Sequence, residues 1–296
     1  MSAPQDEHAG SMGADRRRAS HADSSDAGDD PPWTVLRLLE WTTQFFKTRG
    51  SQSPRLDAEI LLAHARQCSR IELYTAFAAV PEEEQRVAFR ELVRRRGEGM
   101  PVAQLVGYKE FYSLSFRVDE NVLIPRPETE HLVIEALDRA KPFARDARPL
   151  RIADIGTGSG AIAVALAKNL RDVEITAVDQ SPAALQIARW NIQQHKVEPI
   201  VKLLESDLFA ELDPDVTFDI VCSNPPYVSE AEYDQLAPTV RDFEPQEALV
   251  AGPSGTELIA RLLRESPDRV VAGGRLIIEL SPMIADACAE MVDEAS

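Results

Sequence analysis

A chain of 296 residues has room for one large domain or two smaller ones, and 44% hydrophobic content is ordinary for a globular protein. Its formal net charge of −17 argues against a phosphate-backbone partner, since nonspecific nucleic-acid affinity comes largely from lysine and arginine. Cys68, Cys222 and Cys288 are too scattered for a disulfide framework or a structural zinc site, and no segment is apolar for long enough to span a membrane. A cytoplasmic enzyme in a reducing compartment is expected, with no metal, no membrane partner and a monomeric state.

Residues 1–31 hold almost no large apolar side chains and read as a disordered tail, because such a segment cannot offset its ordering entropy. From residue 32 to 100 the pattern is helical. "PPWTVLRLLEWTTQFFKTRG" and "SPRLDAEILLAHARQ" repeat apolar residues at three- and four-residue spacing. "SRIELYTAF" opens with Ser69 and Glu72 in capping-box spacing, and "PEEEQRVAFRELVRRRGEG" runs from acids to arginines as a helix dipole favours. A small helical bundle follows, with Arg94–Arg96 as a solvated helix end. Residues 101–125 alternate apolar and polar side chains and are rich in aromatic and β-branched types, which reads as a linking β-hairpin.

From residue 126 to 296 helices and short apolar strands alternate, which means a parallel sheet covered on both faces. The fold class is α/β, a Rossmann-like sheet carrying a small N-terminal helical bundle. "LRIADIGTGSGAIAVALA" is strand, turn and helix. Its Gly156, Gly158 and Gly160, with Thr157 and Ser159 between them, allow a tight turn and close ligand approach to bare backbone. The spacing departs from the dinucleotide fingerprint, and such a turn alone is also compatible with a purely structural role. "EITAVDQS" ends on Asp179, where a doubly wound fold places the acid that grips ribose hydroxyls; a helix N-cap is the competing role, for which Ser181 is better placed. Turn and acid together imply a nucleoside-containing cofactor. The next strand ends in "ESDLF", which sets Asp207 and Leu208 near the base of that nucleoside.

"DIVCSNPPYVSE" runs an apolar strand into two prolines that lack backbone donors, so the strand stops at Ser223 and a rigid, donor-poor loop follows. Such a loop suits a ligand that donates N–H hydrogen bonds. Here the chain resembles the S-adenosylmethionine-dependent methyltransferases whose "NPPY" loops act on planar amino groups. The wider pattern is more specific. "PVAQLVGYKEFYSLSFRVDENVLIPRPETEHLV", then "DIGTGSGAIA", "SNPPYVSE" and "RDFEPQEALVAGPSGTELI" resemble, in order and spacing, the PrmC/HemK glutamine methyltransferases from about Trp33 to Glu279.

The resemblance implies a protein-(glutamine-N5) methyltransferase acting on the GGQ glutamine of peptide chain release factors, with S-adenosylmethionine as cofactor. It implies that Gly156, Thr157, Gly158, Ser159, Gly160, Asp179, Leu208 and Asn224 contact the cofactor. It assigns Asn224, Pro225, Pro226 and Tyr227 to the substrate glutamine, and places Ile124–Glu130 beside the site. Catalysis falls to Asn224, Pro225 and Tyr227: acceptors on the Asn224 side chain and the Pro225 carbonyl hold both amide hydrogens, and Tyr227 packs on the amide plane. The helical bundle docks the release factor.

Three features depart from the family pattern. Position 208 is often aromatic there and is leucine here, and "ELSPMIADA" replaces a usual Gly and downstream Gln. A final antiparallel strand pair is also expected after "GRLIIEL", and without it that strand is an apolar sheet edge, an aggregation hazard. The alternatives are an amino-group methyltransferase for nucleic acid, one for a ribosomal protein glutamine, and a cofactor-binding scaffold without catalysis.

Overall fold

The computed structural model describes residues 31–143 and 148–295; the tail at 1–30 lies outside the described residues. Four helices come first: α1 (Val35–Thr48), α2 (Pro54–Ala65), α3 (Arg70–Thr75) and α4 (Glu83–Gly97). They enclose one apolar core built from Leu39, Phe46, Leu61, Leu62, Leu73, Phe89 and Val93. The Ser69–Glu72 capping box is present at the start of α3. The arginines closing α4 divide their work. Arg94 pairs with Glu91 and Glu98 on the surface, while Arg96 turns inward onto buried Asp57 at 2.9 Å.

The stretch expected to be one hairpin is a helix followed by a hairpin. Residues 102–106 form α5 (Val102–Val106), ended by Gly107, and only then come β1 (Tyr108–Phe111) and β2 (Leu114–Arg117). Five residues are too few for helical periodicity to stand out against the alternation that follows. The hairpin turn is Tyr112–Ser113, with φ of 50° and 59°. Positive φ at both central residues matches the right-handed twist of the strands, although neither residue is glycine. Phe111 and Phe116 fasten the hairpin to the core under the main sheet.

The remaining elements are α6 (Thr129–Ala140), β3 (Leu150–Ile155), α7 (Ala161–Asn169), β4 (Val173–Asp179), α8 (Pro182–Gln194), β5 (Val201–Glu205) and β6 (Phe218–Ser223). They continue with β7 (Val228–Ser229), α9 (Glu230–Tyr233), α10 (Pro238–Arg241), β8 (Val250–Gly252), α11 (Glu257–Glu265), β9 (Val270–Ile278) and α12 (Ala285–Ala295). Five strands form a parallel sheet in the order β5-β4-β3-β6-β9. Alternate residues of β3 feed different cores: Ile152 faces α6 and α7, while Ala153 and Ile155 face Leu262 of α11. Every residue of β6 is buried, as expected of a strand covered on both faces. The chain order reverses direction at β3, so the C-terminal ends of β3 and β6 flank the switch point where such sheets bind ligands. Among the described residues β9 pairs only with β6 and forms the sheet edge.

Candidate active site

The C-terminal ends of β3, β4 and β6 open into a cleft of about 640 Å³. After β3 the chain turns through Gly156 and Gly158 at φ of 74° and 54°, and the amides of Gly156 and Thr157 both donate to the Val178 carbonyl at 2.8 Å. Nothing lies within 4 Å of where a Cβ would sit on either glycine, so the cleft reaches bare backbone. Asp154 braces the turn from below. Its Oδ2 accepts the Thr157 hydroxyl at 2.6 Å and the Ala163 amide at 3.1 Å, tying the turn to the first coil of α7. Burial pushes this carboxyl up to about 6.

Asp179 ends β4 across the cleft. Its Oδ2 accepts the Gly158 amide at 2.8 Å and its Oδ1 the Ser181 amide at 2.9 Å. Ser181 caps α8, accepting from Ala184, so the capping role does not fall to Asp179. Burial raises the Asp179 pKa. Leu208, one turn beyond β5, holds φ of 49°, a left-handed conformation that costs a leucine energy and is kept where surrounding structure demands it.

On the β6 side the Ser223 hydroxyl donates to the Ile155 carbonyl at 2.8 Å, closing the gap between the two strand ends. Asn224 follows, and its Nδ2 donates to Thr129 Oγ1 at 3.1 Å. Tyr227 is half-buried, and its hydroxyl pKa is raised by burial and then by the Glu279 carboxylate.

Gly156, Thr157, Gly158, Ser159, Asp179, Leu208, Asn224 and Pro226 therefore all line the cleft. Gly160 is set behind it, its α-carbon facing Ala188 so closely that a Cβ would lie 3.3 Å from that methyl. Pro225 is buried, and it and Tyr227 flank the cleft instead of lining it. Pro125, Arg126 and Thr129, from the Ile124–Glu130 stretch, complete the far side.

Several contributors have no local signature in sequence. Asn191, fully buried on α8, joins three segments: it accepts from the Arg117 amide at 2.8 Å and donates to the carbonyls of Arg117 and Ser159 at 3.1 and 2.8 Å. Glu244, from the "RDFEPQE" stretch, holds Ile124 and Arg126, and Thr129 and Glu279 meet Asn224 from distant parts of the chain. Only Asp154, an acid two residues before the glycine turn, offered a readable cue. No group of three or more metal-ligating side chains gathers among the described residues, and no described helix is long and apolar enough to cross a membrane.

A parallel sheet in this order, with a glycine turn open to backbone and a carboxylate at the end of the next strand, defines a class I S-adenosylmethionine-dependent methyltransferase. The PrmC N-terminal domain matches residues 37–107 and the methyltransferase small domain residues 130–240. The release factor glutamine methyltransferase of Rhodopirellula baltica is 65% identical over 91% of this chain and 91% of its own. That of Geobacter sulfurreducens is 39% identical over 84% of each. A solved methyltransferase from Pyrococcus furiosus aligns at 20% identity over 68% of this chain and 85% of its own, with a TM-score of 0.43. The chain belongs to the release factor glutamine methyltransferase family.

Proposed function

We propose that this chain methylates the side-chain amide nitrogen of the glutamine in the GGQ motif of peptide chain release factors, using S-adenosylmethionine. The observation that carries the reading is the meeting of Asn224 and Asp179 in one cleft, beside a glycine turn with open space over its backbone. The cofactor supplies an electrophilic methyl group when bound. Gly156–Ser159 would face its polar chain, Asp179 its ribose hydroxyls, and Leu208 its base, through an aliphatic contact, with Gly160 shaping the turn from behind.

The amide nitrogen of glutamine is a poor nucleophile because its lone pair is delocalised into the carbonyl. Asn224 Oδ1 and the Pro225 carbonyl are acceptors that can take its two hydrogens and localise that pair, while Pro226 and Tyr227 restrict the amide plane. Two prolines in succession make this loop rigid and donor-poor, so the acceptors are set before the substrate arrives. Positioning of this kind supplies the catalysis, and no strong base is needed before transfer.

The reading divides the chain into a tail (1–31), a helical substrate-docking region (32–100), a linker (101–125) and a methyltransferase domain (126–296). It takes the protein to act as a cytoplasmic monomer on a protein, without direct nucleic-acid contact, in line with the net charge of −17. Methyl transfer from labelled S-adenosylmethionine to a purified release factor tests it, beside a GGQ glutamine-to-alanine variant and a DNA control. Label on the intact factor alone is expected; label on DNA, or on the alanine variant at the same level, would overturn it.

A further inference from the structure

Leu208 is buried, yet its backbone sits at φ of 49°, in the left-handed region that a leucine rarely adopts. A residue stays there only where the structure around it leaves no alternative. Its side chain supplies part of the reason, since it belongs to one apolar cluster with Leu258 and Leu262 of α11. The two residues before it supply the rest. The Ser206 amide donates to the Asp179 carbonyl at 3.0 Å, which ties the segment to the end of β4. Asp207 is gripped by its side chain.

The grip is a fork. Arg261, on α11 and 54 positions away, donates from Nη1 to Asp207 Oδ1 at 3.1 Å and from Nη2 to Oδ2 at 3.0 Å. Its Nε faces Glu265 Oε1, one turn further along the same helix, at 3.4 Å. Two parallel bonds fix the plane of the carboxylate as well as its distance, which a lysine could not do. The pair is one-third to one-half exposed, so it contributes little to folding stability. What it provides is an orientation, at a place where Asp207, Leu208 and Arg261 all line the cleft.

The support that carries the fork is itself fixed. Ile259 and Leu262 anchor α11 in the interior, fully out of solvent or nearly so. Gly255, two residues before the helix, backs so closely onto the Asn224–Tyr227 loop that a Cβ there would lie 2.7 Å from the Tyr227 carbonyl oxygen. Asp207 belongs to a connecting segment, so the helix holds the segment.

We infer that Arg261 is a positioning residue, whose fork onto Asp207 keeps Leu208 in place at the nucleobase end of the cleft. It acts through Asp207 and takes no part in methyl transfer itself. The inference rests on the reading above that Leu208 faces the base of the cofactor.

The test uses the full chain and three ligands: S-adenosylmethionine, S-adenosylhomocysteine and adenosine, the last of which lacks the amino-acid arm. In Arg261→Ala the Kd of all three should rise by a common factor of about fivefold or more, because a wall that must be ordered on binding costs affinity. The rate at saturating cofactor and the melting temperature should stay close to the parent values, which separates positioning from a merely structural role. Arg261→Lys, which keeps the charge without the fork, should lose nearly as much affinity. The double variant Arg261→Ala/Asp207→Ala should lose no more than Asp207→Ala alone. A parental Kd for adenosine in Arg261→Ala, or losses that add in full, would overturn the inference.

A readout that needs no ligand separates this from the functional reading. The Leu208 methyl resonances should move by NMR in Arg261→Ala and in Asp207→Ala. Unmoved resonances would overturn the inference whatever the chain methylates. A parent that leaves release factor unlabelled, yet shows these shifts and the common rise in Kd on losing Arg261, would sink the substrate assignment and keep the role of Arg261.

Discussion

Arg126 and Glu244 stand 118 positions apart in the chain, yet the guanidinium Nη2 lies 2.5 Å from the Glu244 Oε1. The second carboxylate oxygen accepts the Ile124 amide at 3.0 Å, so one buried side chain holds two points of the loop that forms the far side of the cleft. Gln104 on α5 reaches the same stretch, donating to the Phe243 carbonyl at 2.7 Å. The helical region, the loop and the segment after α10 thus meet around Glu244.

Glu244→Ala leaves the Ile124 amide without its acceptor and Arg126 without its counter-charge. Arg126 is about one-third exposed, so solvent recovers part of its loss, and the expected destabilisation is about 2 kcal/mol rather than the larger cost of a fully buried pair. Urea unfolding measures this. Affinity for S-adenosylmethionine should fall at the same time, because Pro125 and Arg126 line the cleft. An unchanged midpoint and an unchanged Kd would mean that the loop is held elsewhere.

Asn224→Ala should lower turnover by roughly two orders of magnitude, as for removal of one preorganised polar contact. Single-turnover methylation of the release factor reads it out. Near-parental rates would remove Asn224 from the mechanism.

Asp179→Ala should do the opposite. Affinity for the cofactor should drop far more than the rate at saturating cofactor, since the carboxylate is assigned to ribose hydroxyls remote from the reacting atoms. Some loss will come from the freed Gly158 amide, whose partner at 2.8 Å disappears. Titration calorimetry set beside saturation kinetics separates the two quantities.

Asp154 gives a pH dependence of stability. Its carboxyl titrates near about 6 in the folded chain against an ordinary 3.8, mainly through burial, so the folded state binds protons more tightly than the unfolded one. Stability from this group is present at low pH and is lost as pH rises from the ordinary value through the folded one, by on the order of 3 kcal/mol. Asp154→Asn keeps an oxygen for Thr157 and Ala163 but does not titrate. The variant should therefore gain on the parent between about pH 4 and about pH 7 in urea unfolding. A constant difference between the two across that range would show that Asp154 is not held neutral.

Gly255 meets the Asn224–Tyr227 loop from behind. A Cβ on it would lie 2.7 Å from the Tyr227 carbonyl oxygen and 3.2 Å from the Ser229 amide nitrogen, and φ is 81°, which L side chains avoid. Gly255→Ala should push the loop out of place and slow methyl transfer without touching substrate. The accompanying stability cost should exceed about 1 kcal/mol. A rate equal to the parent's would show that the loop tolerates the shift.

The parts of the site legible in sequence are those whose chemistry is packed into a few consecutive residues. A turn that needs positive φ calls for glycine, and a strand that must stop at a donor-poor loop calls for proline, so Gly156–Gly160 and Asn224–Tyr227 announce themselves. Asp179 is legible because a fixed helix length separates the ends of β3 and β4. Thr129, Glu244 and Glu279 are ordinary residues in ordinary surroundings, and their roles arise only when the chain is folded; Thr129 and Asn224 are 95 positions apart. The helix α5 was hidden by its brevity, and β9 begins at Val270, four residues ahead of Gly274, where "GRLIIEL" starts.

The three hydrogen bonds of Asn191 also tie the glycine turn to parts of the chain remote in sequence. They close one loop of 74 residues to Arg117 and one of 32 to Ser159, and both carry a closure entropy that local turns do not. During synthesis the hairpin and the glycine turn leave the ribosome well before α8. Until α8 docks, the Ser159 carbonyl has no Asn191 amide to meet, and the turn and the hairpin are joined only through the apolar core they share. The glycine turn of the cleft thus leans on a residue that follows it by 32 positions, and a change confined to α8 can reach the cofactor pocket without lining it.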